Sequence, residues 1–96
     1  MNVFLLGLKV TDTAQESEGI INVLAEALPT SDRKTPTKVQ LLQQKDHYVG
    51  KALQKLEKDQ SILAVGLVKP TPEGMLKMNT MMVVNKDSFD DVLAIN

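Results

Sequence analysis

The chain has 96 residues, with eleven Lys and Arg against twelve Asp and Glu, one His and no Cys. That length allows one domain, residues 1–96, with a modest core and no room for a second. The balanced charge gives the whole molecule no strong pull on a polyanion, and the lack of cysteine excludes a disulfide framework and thiolate chemistry, which fits a reducing compartment.

Met1 to Val10 opens with Val3, Phe4, Leu5, Leu6 and Leu8 nearly all apolar, which predicts a strand buried on both faces or paired against another subunit. It is far shorter than the roughly 20 residues of a membrane span, and no basic stretch or small-residue cleavage site flanks it. A soluble, cytoplasmic protein that makes no membrane contact is expected. Gly7 is the expected place for a bend or bulge. Thr11 to Gly19 is polar and acidic and reads as a loop.

Ile20 to Leu28 predicts a second strand with Ile21, Val23, Ala25 and Ala27 on one face, although Leu24 to Leu28 also contains good helix formers. Pro29 to Pro36 is a connector. Thr37 to Gln44, with Val39, Leu41 and Leu42 between glutamines, predicts a third strand with one wet face. Asp46 is the expected N-cap of a helix in which Tyr48, Val49, Ala52, Leu53 and Leu56 recur at helical spacing. Gly50 weakens that helix by about 1 kcal/mol relative to Ala.

Ser61 to Lys69 is the clearest strand, Pro70-Thr71-Pro72-Glu73-Gly74 is a turn, and Met75 to Val84 returns as the fifth strand. Its apolar residues divide between two faces, Met75, Met81 and Val83 on one and Leu76, Met78, Met82 and Val84 on the other. Asp87 to Asn96, with Phe89, Val92, Leu93 and Ile95, is expected to finish the core. Five strands with one helix between the third and fourth describe an all-β OB-fold barrel, a scaffold that holds single-stranded nucleic acid or oligosaccharide. A small α+β regulatory domain, with residues 20–28 helical, is the rival architecture.

Catalysis finds no support in the residues. There is no two-histidine metal motif, glycine-rich phosphate loop or nucleophile elbow, so a non-enzymatic protein without a cofactor is expected. His47 reads as a solvated surface residue, Tyr48 as a cover over the barrel end, and Phe4 and Phe89 as core residues. Met75, Met78, Met81 and Met82 read as flexible filler for a core poor in aromatics.

Positive charge gathers in three places: Arg33, Lys34 and Lys38 in one segment, Lys51, Lys55 and Lys58 on and after the helix, and Lys69 and Lys77 around the last turn. Sequence-independent binding of single strands combines such a basic groove with aromatic platforms worth roughly 1–3 kcal/mol per stacked base. With the platforms nearly absent, binding through cations alone is expected to be weak and steeply salt-dependent. The candidate groove is Lys9, Arg33, Lys34, Lys38, Lys69 and Lys77.

The segment Met1-Asn2-Val3-Phe4-Leu5-Leu6-Gly7-Leu8-Lys9-Val10 resembles the opening strand of the bacterial-type single-stranded DNA-binding proteins. Leu56-Glu57-Lys58-Asp59, followed by Ile62 to Val68, is similar to that family's helix end and next strand, with Asp59 where the family has Gly. Gly74 through Val83-Val84 resembles its final strand. The resemblance implies an OB fold, binding of single-stranded DNA or RNA, and a homodimer or homotetramer built through the first strand, whose apolar edge would otherwise be exposed. The departures fall on the family's DNA-binding parts. Residues 23–28, 37–45 and 69–77 lack the family's stacking aromatics, and the last hairpin is cut to a tight turn. A second expectation follows: a protein-interaction OB module of a replication or repair complex that has lost strong DNA binding.

Overall fold

The computed structural model describes residues 2–27 and 36–87. Arg33, Lys34, Phe89, Val92, Leu93 and Ile95 lie outside them. Six strands and one helix follow in the order β1 (Val3–Val10), β2 (Gln15–Ser17), β3 (Ile20–Ala27), β4 (Lys38–Gln44), α1 (Tyr48–Gln54), β5 (Ser61–Pro70) and β6 (Leu76–Asn85). None of the described helices is long and apolar enough to cross a membrane.

The strands hydrogen-bond in the order β1-β5-β6-β4-β3-β2, and β1 pairs again with β3 through Leu8 to Val10. That second pairing closes β1, β5, β6, β4 and β3 into a five-stranded OB barrel, with β4 and β6 parallel and the other pairs antiparallel. The short β2, folded back on β3 by a turn at Glu18-Gly19, lies in the stretch expected to be a loop. Helical propensity yields to the barrel at residues 20–27. Ile21, Val23, Ala25 and Ala27 all face its interior, a burial that a helix could not give to alternate residues.

Leu8, Val10, Val39, Leu41, Ile62, Ala64 and Met78 complete the core from the other strands, and Val49 and Leu53 of α1 close one end. The helix starts directly after β4, with Lys51 donating to the His47 carbonyl at 2.9 Å. Its cap is His47 rather than Asp46: the backbone N–H of Val49 donates to His47 Nδ1 at 3.1 Å. Adding one residue to the turn puts the imidazole, not the carboxylate, over the first amides. Tyr48 does not cover the barrel. It is 72% exposed and stacks on His47.

β1 stays in unbroken register with β5 through Gly7, so no bulge forms there on the β5 side. The irregularity lies instead at Val65/Gly66 against β6, where Gly66 pairs with Thr80 and Val65 with Met82. One extra residue on β6 reverses the alternation beyond it. Leu76, Met78 and Thr80 lie on the inner side before the bulge and Val83 packs against the core after it, while Met82 and Val84 turn outward. The even division of methionines predicted from simple alternation therefore fails. Met78 is buried, and Met81 and Met82 are about half exposed.

Phe4 is 42% exposed and is not a core residue. Among the described residues β3 pairs with β1 only at Leu8 to Val10, and β5 is the one described strand beside the first half of β1.

Candidate functional site

Side chains that point away from the core on β5, β6, β4 and β3 form rows across the barrel's outer surface. Register places Lys69, Lys77, Gln40 and Leu24 in one row, and Leu67, Asn79, Leu42 and Asn22 in the next. A third begins with Gln44 opposite Ile20. The strong curvature of this sheet leaves a cleft of about 720 Å³ between the β5–β6 hairpin and the ends of β4 and β3. Its walls are aliphatic, from Ile20, Leu42, Leu67 and Val68, with the amides of Gln44 and Asn79 and the ammonium groups of Lys69 and Lys77 along them. Gln43 also lines it while donating through Nε2 to the Thr80 carbonyl at 2.8 Å, a bond that ties β4 to β6 beneath the floor.

Lys69 and Lys77 are directly opposite one another on the antiparallel hairpin. Opposed side chains of such a pair have Cβ atoms about 4.5–5.5 Å apart, and like charges there repel. Neither lysine makes an ion pair among the described residues. The nearest counter-charge in sequence is Glu73 in the connecting turn. Its carboxyl is held below the ordinary carboxylate range, first by a backbone hydrogen bond within Glu73, then by the Thr71 hydroxyl, and least by Lys77, against a small opposing effect of desolvation. The turn itself is set by Gly74 at φ +83° and by Thr71, whose backbone N–H donates to the Met75 carbonyl at 2.8 Å.

Of the six cations expected to share one groove, four lie among the described residues, and these do not all line the cleft. Lys69 and Lys77 line the cleft. Lys9 and Lys38 both pair in register with Glu26 of β3, one from β1 and one from β4. Lys9 also lies 3.9 Å from Asp59. Neither Lys9 nor Lys38 lines the cleft. Arg33 and Lys34 fall outside the described residues. The apolar floor and the amides were missed in the sequence, although the alternation of Gln40, Leu42 and Gln44 with buried Val39 and Leu41 marks the outward face of β4.

A second surface is apolar. Outward residues of β1, β5 and β6 pair as Val3–Leu67, Leu5–Val65–Met82 and Leu63–Val84. Val3, Leu5, Met82 and Val84 are 39–65% exposed. Along the same stretch, residues 3–7 of β1 are bonded in register, among the described residues, to β5 alone.

Among the described residues no group of three or more His, Asp or Glu side chains is placed to hold a metal ion. Comparison with family models, with curated proteins and with solved structures finds no match to this chain.

Proposed function

We propose that this protein binds single-stranded nucleic acid, DNA or RNA, without catalysing a reaction, as a short and divergent relative of the bacterial-type single-stranded DNA-binding proteins. The observation that carries the reading is the cleft on the outer sheet of an OB barrel, with two unpaired, directly opposed lysines beside an apolar floor. The β3–β4 face and the loops beside it are where OB barrels take oligonucleotides. Phosphates meet Lys69 and Lys77. Bases lie against aliphatic side chains instead of aromatic rings, so affinity is modest and depends on salt.

Fluorescence anisotropy of a labelled oligothymidylate tests it. Submillimolar binding at low salt should weaken as salt rises, and Lys69→Glu with Lys77→Glu should flatten the salt dependence by about 1.4 in the log–log slope, at 0.7 per phosphate contact on a single strand. Flat titration curves at low salt would refute the reading. Lys9→Glu should change the affinity far less, because Lys9 already has Asp59 and Glu26 beside it.

The edge of β1 that no described strand covers supports assembly as a homodimer, the partner strand being the same strand of a second copy. Antiparallel pairing of identical strands closes under a two-fold axis, and residues 2–8 carry no charge to repel their symmetry mates. Leu5, 65% exposed, lies near the centre of that stretch. Light scattering coupled to gel filtration should give twice the chain mass of 10.6 kDa for the wild type and the single mass for Leu5→Lys. A wild-type monomer at 100 μM or so would end the dimer proposal and favour the second reading, in which the same apolar surface receives a different protein of a replication or repair complex.

A further inference from the structure

On the cleft face of the barrel two cations stand together at one point. A strand that continues past the barrel in both directions needs a cationic track along its backbone. Here Lys9, Lys38, Lys51, Lys55 and Lys58 do not line the cleft, and the cations that do are the opposed pair Lys69 and Lys77, neither in an ion pair among the described residues. An internal phosphodiester brings one negative charge to that pair and leaves it half compensated. A terminal phosphomonoester brings close to two at neutral pH, since its second ionisation lies near 6.

The cleft also has the capacity of a pocket. Its volume of about 720 Å³ falls within the range of small-ligand sites, roughly 300–1,000 Å³. Ile20, Leu42 and Leu67 can cover one end base, and the amides of Gln44 and Asn79 can donate to phosphate oxygens or to the base edge.

We infer that the cleft is an end-binding site, which takes the terminal nucleotide of a single strand and prefers an end bearing a phosphomonoester. The inference rests on the nucleic-acid reading above and names which part of the strand the site holds. The extra charge facing two ammonium groups should tighten binding about tenfold, against roughly fivefold for one pair of unit charges 4 Å apart in water and a partial loss to the stronger hydration of the dianion.

The test compares short oligothymidylates that differ only in a 5′-phosphate, a 3′-phosphate or neither, each labelled at the opposite end, by anisotropy at fixed salt. One phosphorylated end should bind about tenfold tighter at pH 7.5, and most of that preference should vanish at pH 5, where the monoester carries a single charge. The charged protein groups nearby are Lys69, Lys77, Glu73 in the turn, and Lys38 with its partner Glu26. Glu73 stays ionised over this interval, because its carboxyl is held below the usual range. Lys69→Gln and Lys77→Gln should each cut the preference to about twofold, while Lys9→Gln keeps it. Equal binding of all three oligonucleotides, or a preference unmoved by pH and by both cleft variants, would overturn the end-binding inference and leave strand binding intact. Failure of every oligonucleotide to bind would overturn both.

Discussion

Replacing Gly50 with Ala should destabilise the protein severely, by about 3 kcal/mol or more, and lower the melting temperature by over 10 °C. Helix propensity alone predicts the opposite sign, a gain near 1 kcal/mol. The reason lies in how α1 is seated. Three residues separate it from the end of β4, and it folds back over that strand, so the backbone of Gly50 rests against the chain it has just left. A Cβ at this position would stand 1.8 Å from the Gln44 carbonyl oxygen and 2.8 Å from its carbonyl carbon. Both are backbone atoms held in β4, and no rotamer can relieve the clash.

To admit the methyl group, the helix must lift from the barrel end. That movement would break the bond from Gln54 Nε2 to the Lys45 carbonyl, at 3.3 Å, and uncover Val49 and Leu53. Thermal and urea unfolding followed by circular dichroism measure the effect. A Gly50→Ala variant as stable as the wild type would show that α1 is not seated as described.

Leu53→Ala should cost about 2–5 kcal/mol by the same measurement. Leu53 is fully buried and, with Val49, is the apolar contribution of α1 to the core. A helix of seven residues is far below the length that holds in water by itself, so its order depends on that contact. Truncation would leave a cavity against β3, β4 and β6, and the helix can collapse into it only by meeting the Gly50–Gln44 contact that already limits its approach. Leu56→Ala, at a partly buried residue beside the core, should cost less. If the two substitutions were equal, the barrel end would not be closed by Leu53.

The barrel was legible because alternation is a local signal. Ile21, Val23, Ala25 and Ala27 repeat at a period of two, as do Val39 and Leu41, and Ile62 and Ala64, and each set is buried as a unit. The helix showed itself through Val49 and Leu53 at helical spacing, and the sharp turn through Pro70 to Gly74. Its cap was harder to read. Asp46 and His47 are adjacent, both can accept an amide hydrogen, and the choice depends on where the backbone of β4 releases the chain.

The bulge at Val65/Gly66 had no comparable sign. A glycine in a strand marks a close approach or a bulge, yet Gly7 and Gly66 both qualified, and only the tertiary fold separates them. At Gly66 a Cβ would come within 2.2 Å of the Asn79 carbonyl oxygen, so the neighbouring strand crowds that position. The bulge then sent Met82 and Val84 outward, and the methionines expected in the core became part of an apolar exterior.

Residue types in order were enough for the class of fold, for the positions of the strands, and for the shortage of stacking rings, since periodicity and composition belong to the chain before it folds. Which cations act together was decided by pairing between distant strands. Lys69 and Lys77 are brought face to face by their hairpin, whereas Lys9 and Lys38, 29 positions apart, stand opposite the same glutamate in register because the barrel closes between β1 and β3. Charge is counted along a sequence but felt through space, and the register of the sheet converts one into the other.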